Sequence, residues 1–455
     1  MNKFVAIRRV IIPNKNNDPL LRDIGGMIVG TERYSTYDVL NAFFDEGSFV
    51  ELDAYLKSVG GEAEAAAGFG TVDGIPAYAF AQNADECGGA MSKAQAKKIT
   101  KLYNAALRTG APVIGFYNSA GGRLEQRYDL LAAYGDILRK SSKLSGVVPQ
   151  ISVVLGACLG ASALTAASAD YIIMEKNAQL SVSTSGDKSS AEDNLSSGTV
   201  SFVCEGVGAC IDKAKDLLAY FPTNNLEPAP AFETVPAYAQ PDKLPKFFAD
   251  ENSLLCVGGG YGEPTCTAFG RVNGYPVGIV VTKGGVISSE GADKIMKHVR
   301  FCDAFSLPVI TIVDAQSFES FADASKLVSV YSEATCPKIS IISGTAVGAA
   351  SIALLGSASD VDMVYALAEA VVSPVAPKAA AFILDQTIAD APAAEQEALA
   401  ERFVRANLTA VKAAEDGYID DIAAPEELRD KLVAALDMLS SKRVSSLPKK
   451  HSTKA

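Results

Sequence analysis

Apolar and polar positions along this chain switch between a period of two and a helical period. A turn marked by Gly74 and Pro76 separates two short apolar runs, Thr71–Asp73 and Ala77–Gln82, which predicts paired strands. From Ser92 to Arg108, Ile99, Tyr103, Ala106 and Leu107 recur at helical spacing, and Gly110 closes the helix. Pro112–Phe116 reads as a strand, Asn118–Arg123 as a Gly-rich loop and Asp129–Leu144 as a helix. Val148–Leu155 is a β-branched strand, followed by a turn at Gly156–Gly160 and a helix of small residues, with another strand at Tyr171–Met174. Asp187–Ser197 is Ser-rich and polar and reads as a loop. Strands that alternate with crossover helices imply parallel pairing with both faces covered. Right-handed crossovers should wind such ββα units into a spiral.

The same pattern occurs a second time. FGTVDGIP from Phe69 returns as FGRVNGYP from Phe269, and Pro112-Val-Ile returns at Pro308. PQISVVLGACLGAS from Pro149 returns as PKISIISGTAVGAA from Pro337. Order is kept, and the separation between equivalent positions shrinks gradually along the chain. Two copies of one α/β domain, with small deletions in the second, account for this. The expected boundaries are a first domain over 1–225, a Pro-rich linker over 226–255, a second domain over 256–443 and a mobile tail over 444–455. In the second copy, Glu395–Ala414 and Glu426–Leu439 read as helices.

Composition narrows the function. A net charge of −12 argues against nucleic acid as a partner. The eight cysteines form no CxxC pair and fit neither a zinc site nor a disulfide framework, so free thiols in a reducing, cytosolic compartment are expected. The N-terminus lacks a signal peptide's apolar centre and cleavage site. Val147–Ala169 is apolar enough to mimic a membrane span. Gln150, Ser152 and the equivalent run Ile339–Ser359 fit two buried strand–turn–helix units better.

Candidate chemistry is restricted by what is missing. Of two histidines, His451 lies in the tail, which leaves His298 for acid–base work. The Gly-rich turns need no side chains. A strand that breaks at glycine into a helix leaves N–H groups unpaired, and these favour a developing negative oxygen. Gly160 and Ala161 are the candidates in the first copy, and Gly348, Ala349 and Ala350 in the second. Close helix–strand packing selects the same small residues, and the pattern alone favours that explanation. Lys97, Lys101 and Arg108 fall within about 40° on a helical wheel. They suit the phosphates of a nucleotide-type cofactor or, equally, a solvated face.

Several longer stretches resemble one family. They are FDEGSFVELDAY from Phe44, GFGTVDGIPAYAFAQ from Gly68, APVIGFYNSAGGR from Ala111, GVVPQISVVLGACLGAS from Gly146, LLAYFPTNNLEPAP from Leu217, RFCDAFSLPVITIVD from Arg300, EATCPKISII from Glu333 and GYIDDIAAPEELRDKLVAAL from Gly417. In order, they are similar to the carboxyltransferase subunit of biotin-dependent acyl-CoA carboxylases and decarboxylases, of the propionyl-CoA carboxylase β and methylmalonyl-CoA carboxyltransferase type. The resemblance implies a tandem duplication of a crotonase-like ββα spiral domain. It implies an acyl-CoA side in the first domain and, in the second, a side for carboxybiotin held on a separate carrier protein. It implies a homodimer at minimum, hexamers in many members, and a cytoplasmic enzyme with a biotin carboxylase or a membrane decarboxylase subunit as partner.

The implied mechanism removes the α-proton of an acyl-CoA with the biotin anion and lets the enolate attack CO2. No metal and no catalytic histidine are needed. Two oxyanion holes are, at Gly160–Ala161 and at Ala349–Ala350. Gly121, Gly122 and Arg123, with Lys97, Lys101 and Arg108, fall on the acyl-CoA side. Gly348, Phe318 and Ile352 fall on the biotin side. Departures are present: the usual SGGAR loop reads Ser119-Ala-Gly-Gly-Arg123, the PGF loop is replaced by Ala315-Gln-Ser-Phe318, and a common histidine is replaced near Gln95. They motivate an alternative, a non-catalytic paralogue that binds acyl-CoA or scaffolds a biotin-dependent complex. A crotonase-type hydratase or thioesterase would require a carboxylate near the first turn, for which Glu125 is the nearest candidate.

Overall fold

A computed structural model describes residues 34–58, 61–183, 188–232 and 244–444. Residues 1–33, the middle of the expected linker and the tail after Val444 lie outside the described residues.

Two eight-stranded sheets repeat one topology. In the first, neighbours run Val50–Glu51, Ala65–Val72, Ile75–Gln82, Val113–Ser119, Gln150–Leu159, Tyr171–Glu175 and Phe202–Cys204. In the second they run Leu255–Val257, Cys266–Val272, Tyr275–Val281, Val309–Ala315, Lys338–Val347, Met363–Ala366 and Asp421–Ile422. Each sheet starts with antiparallel pairs and continues in parallel. Each has an eighth strand, Gln179–Ser181 or Val371–Ser373, that pairs with the far end of the long central strand. This is the ββα repeat expected from the sequence, with helices such as Lys93–Thr109 and Ser289–Ala304 as crossovers.

The halves share a core. One cluster of buried side chains runs through both, and two others belong to one half each. Tyr171 and Phe221 of the first half pack against Phe269 and Phe301 of the second, with ring centroids 4.6–5.7 Å apart. Near the linker, Arg271 sits 4.7 Å from the Tyr220 ring and 4.2 Å from the Phe232 ring. Its guanidinium donates to the carbonyls of Ala219, Pro230 and Gly274.

Three local expectations change. The central strand runs through Gly156 to Leu159, because Ala157–Leu159 pair with Gln179–Ser181, so the turn is confined to Gly160. The polar stretch after Asp187 holds a helix, Ala191–Ser196, started by a capping box between Ser190 and Asp193. The stretch Glu395–Ala414 is two helices, Ala393–Asn407 and Ala410–Glu415, the second capped by the Thr409 side chain. The apolar run Val147–Ala169 contains a strand and a short helix, and among the described residues no helix is long and apolar enough to cross a membrane. All eight cysteines are free, with Cys158 buried in the first half's core.

Candidate active site

In both halves the central strand ends at a glycine with positive φ: Gly160 at 61° and Gly348 at 48°. The two are equivalent in the repeat, and a side chain at either is strained whatever the space around it. Helices Ala161–Ala166 and Gly348–Leu354 follow. The first N–H groups of a helix have no acceptor within it. Among the described residues, the N–H groups of Ala161, Ser162, Ala349 and Ala350 donate to no acceptor.

Gly160 differs. Its N–H donates to Ser181 O at 2.8 Å. The expected donor pair Gly160–Ala161 is therefore corrected by one residue, because the parallel ladder with Gln179–Ser181 reaches Gly160 and engages it. The open pair Ala161–Ser162 occupies the same place in the repeated PQISVVLGACLGAS segment as Ala349–Ala350 in PKISIISGTAVGAA. The two halves thus present the same backbone pair at the same point of the fold.

Behind each turn the strands approach closely. A Cβ on Gly156 would lie 2.4 Å from Asn118 Oδ1, and one on Gly344 would lie 2.5 Å from Asp314 Cγ. Glycine is there to admit the neighbouring strand's side chain, not to bend the chain. The register slips at the same place in both halves, between Tyr117 and Ser119 and between Val313 and Ala315. Each slip aims a polar side chain, Asn118 or Asp314, towards the end of the central strand.

The Gly-rich loop of the first half is tightly held. Gly121 O accepts from Met91 N–H at 2.8 Å, and Arg123 N–H donates to Met91 O at 2.9 Å. Gly122 bridges to Met91. Arg123 pairs with two carboxylates: Nη1 lies 2.8 Å from Glu64 Oε1, and Nε lies 2.6 Å from Glu125 Oε1. Glu64 is fully buried and also accepts from Ser58 and Ser92. The expected acyl-CoA contact of Arg123 thus competes with its pairing to Glu64, since a buried carboxylate left without its cation is costly. On helix Lys93–Thr109, Lys101 pairs with Asp53 at 2.5 Å, while Lys97 and Arg108 are exposed.

Other candidates separate. Glu125 is ion-paired, and its own backbone N–H and Arg123 hold its carboxyl below the usual range, which does not suit a proton donor near neutral pH. His298 is buried at the seam against Phe269, and burial pushes its pKa down to about 4. A cleft of about 420 Å³ at that seam, lined by Asp170, Tyr171, Lys297 and Arg300, contains none of the turn residues. Phe318 is half-buried against the shared core. Ile352 is 55 % exposed on the helix after Gly348, and Leu164, its equivalent in the first copy, is 48 % exposed on the helix after Gly160.

A carboxyl transferase domain matches residues 33–453. The chain belongs to the carboxyl transferase family. It is 32 % identical to the methylmalonyl-CoA decarboxylase subunit alpha of Veillonella parvula, over 90 % of this chain and 91 % of that protein. It is also 32 % identical to the methylmalonyl-CoA carboxyltransferase 12S subunit of Propionibacterium freudenreichii subsp. shermanii, over 90 % of both. A solved transcarboxylase 12S structure, described as a hexamer with hydrolysed methylmalonyl-coenzyme A bound, superposes with a TM-score of 0.86 at 30 % identity, over 95 % of this chain and 93 % of that one.

Within this carboxyl transferase, two features of the first turn were not read from the sequence. Ser162 contributes its N–H to the open pair, and Tyr134 packs its hydroxyl against Ser162 Oγ at 3.0 Å. A strict alignment of Ala161–Ser162 with Ala349–Ala350 would have found the first. No local pattern marks the second.

Proposed function

We propose that the chain transfers a carboxyl group between carrier-bound biotin and an acyl-CoA of the propionyl/methylmalonyl type. The observation that carries this is the duplicated pair of open backbone donors, one in each half, within a chain of the carboxyl transferase family. Ala161 and Ser162 N–H hold the thioester oxygen as it gains negative charge. Ala349 and Ala350 N–H hold the oxygen of the second substrate. Preorganised donors of this kind each stabilise a transition state by about 2.7–4 kcal/mol. Lys97 and Arg108 are exposed on helix Lys93–Thr109 and serve the CoA phosphates on this reading.

On this reading the second turn takes biotin's bicyclic ring. Ala349 and Ala350 offer donors to an oxygen, while the exposed side chain of Ile352 supplies an apolar wall. When bound, biotin supplies the carboxyl group and the base for the α-proton, so this chain's own residues need only bind, orient and stabilise. The burial of His298 in the seam fits that division of labour.

Large apolar side chains stand exposed in both halves. Leu124, Tyr128 and Leu131 are 82 %, 84 % and 66 % exposed in the first half, and Phe321 is 88 % exposed in the second. A second copy that lays its second half on this first half covers both patches and brings the two turns together. The named relatives support the acyl group, since two of them act on methylmalonyl-CoA by their names. The partners on this reading are a biotinylated carrier protein and a biotin carboxylase or membrane decarboxylase subunit.

The test uses purified protein, free biotin and a panel of malonyl-, methylmalonyl- and glutaconyl-CoA. Biotin-dependent loss of the carboxyl group, fastest with methylmalonyl-CoA, is expected. Loss that proceeds equally without biotin, or no loss even with a biotinylated carrier, contradicts the reading.

A further inference from the structure

We infer that Tyr134 is a positioning residue for the first-half site, tying the Gly121 loop to the open donors at Ala161 and Ser162. This rests on the function proposed above. Tyr134 projects from helix Tyr128–Leu144, 5 % exposed. Its hydroxyl donates to Gly121 O at 2.9 Å and lies 3.0 Å from Ser162 Oγ. Ser162 Oγ in turn donates to Ser119 Oγ at 3.2 Å, and Ser119 Oγ receives Gly121 N–H at 3.2 Å and contacts Gly121 O at 3.0 Å. Three hydroxyl protons are shared over a closed set of oxygen contacts that begins and ends on Gly121. Ser119 and Ser162 are fully buried, so water does not compete for these bonds.

Two elements are held by this set. One is the loop that leads from Ser119 to Gly122. The other is the first turn of the helix that carries the open N–H pair, because Ser162 supplies both a backbone donor and the hydroxyl that Tyr134 meets. Neither element has another side-chain hydrogen bond to the other among the described residues. Ser119 is also paired with Cys158 in the sheet, and beyond that pairing Tyr134 and the two serines set the loop's distance from the donors.

The second half is an internal control. It has the same strand order and the same positive-φ glycine, yet Ala350 stands where Ser162 would be and Ala315 where Ser119 would be. The fold forms there without the network, so the fold does not require it in the first half. What the first half has in addition is the Gly121–Gly122 loop, which the second half replaces with Ser317–Phe318. The network accompanies the loop and not the turn.

The experiment compares Tyr134→Phe, Ser162→Ala and the double variant with Tyr331→Phe. Tyr331 is a fully buried tyrosine of helix Phe321–Glu333 whose hydroxyl meets Thr311 Oγ1 at 2.9 Å and touches neither the Gly121 loop nor Ser162. Misplacement of reacting groups on the ångström scale predicts a fall in kcat of about 10- to 100-fold for Tyr134→Phe, with KM for acyl-CoA changed far less. Ser162→Ala should give a similar fall, and the double variant should be no worse than the poorer single one. Tyr331→Phe should lose thermal stability to a similar degree and keep kcat. Hydrogen exchange measured by mass spectrometry should speed up in 119–123 and 160–163 of Tyr134→Phe and nowhere else. Unchanged kcat and unchanged exchange in Tyr134→Phe would overturn the inference, as would an equal loss of kcat in Tyr331→Phe. If the wild-type protein shows no transfer, the proposed function fails, and the exchange comparison still decides whether Tyr134 ties the two segments.

Discussion

Replacing Arg123 with methionine separates two roles that one residue could have. The sequence resemblance puts it on acyl-CoA, whereas the structure puts it on Glu64. Glu64 is fully buried, Arg123 is 14 % exposed, and they meet at 2.8 Å. Methionine keeps much of the side-chain volume and removes the cation. Glu64 then keeps only the hydroxyls of Ser58 and Ser92, at 2.7 and 2.5 Å. Leaving one buried charge without its partner typically costs about 3–5 kcal/mol. For a unit of roughly 200 residues, at about 2–4 °C per kcal/mol, the first thermal transition should fall by about 6–20 °C. Calorimetry of Arg123→Met, Glu64→Gln and the double variant gives the pair's coupling directly. The double variant should be more stable than Arg123→Met, because the uncompensated charge is gone. KM for acyl-CoA, measured below the transition, should change little. A thermal midpoint within about 2 °C of wild type together with a KM raised tenfold or more would contradict the Glu64 role and return Arg123 to the ligand.

Gly160→Ala meets no atom within 4 Å, so its cost isolates the backbone conformation at φ 61° and should be about 1–3 kcal/mol with loss of activity. Gly135→Ala, also without a close neighbour but inside helix Tyr128–Leu144, should be neutral or stabilising in the same denaturation series. His298, which is buried, and Asp170, half-buried in the seam cleft, should tilt the pH–stability curve in opposite directions. His298 has its pKa lowered to about 4 by burial, so the unfolded chain takes up a proton that the folded one excludes. Its contribution is full above about pH 6.5 and is lost as pH falls towards 4, and His298→Leu should remove that loss. Asp170 has its pKa raised to about 6 by burial, so the folded state holds the proton longer. Its contribution falls as pH rises from about 4 to 6, and Asp170→Asn should abolish that fall and be the more stable protein at pH 7. Urea midpoints from pH 4 to 8 read both.

The duplication is legible because landmarks such as FGTVDGIP and FGRVNGYP are strand–turn–strand units whose apolar alternation survives divergence. The crossover helices are legible from spacing alone. Gly156 reads as part of the turn because glycine marks both a bend and a close approach, and only the position of Asn118 distinguishes them. Gly160 reads as a donor because its place at the strand end is visible in the sequence. That Ser181 reaches back to accept its N–H is a pairing between residues far apart, which no local pattern records. Family likeness places Arg123 on the ligand, and its partner Glu64, far back in the chain, carries no mark of burial in the sequence. Helix Ala191–Ser196 escapes the sequence reading because its residues are polar, and its start is set by a capping box rather than by an apolar stripe.

The proposed function requires that the first turn of one copy work with the second turn of another. Two inactive variants test it together. Proline at Gly160 cannot adopt φ 61° and removes the N–H given to Ser181, and proline at Gly348 cannot adopt φ 48°. Each homo-oligomer should be folded and without biotin-dependent decarboxylation of methylmalonyl-CoA. Co-expressed with different tags and purified through both, a mixed dimer of Gly160→Pro with Gly348→Pro has one site built from two intact turns and one from two altered turns. The mixed dimer should recover about half of the wild-type rate per dimer, a count that follows from one intact site in two. A doubly purified, folded mixed dimer with no activity would contradict it, because sites built within single chains leave no intact pair.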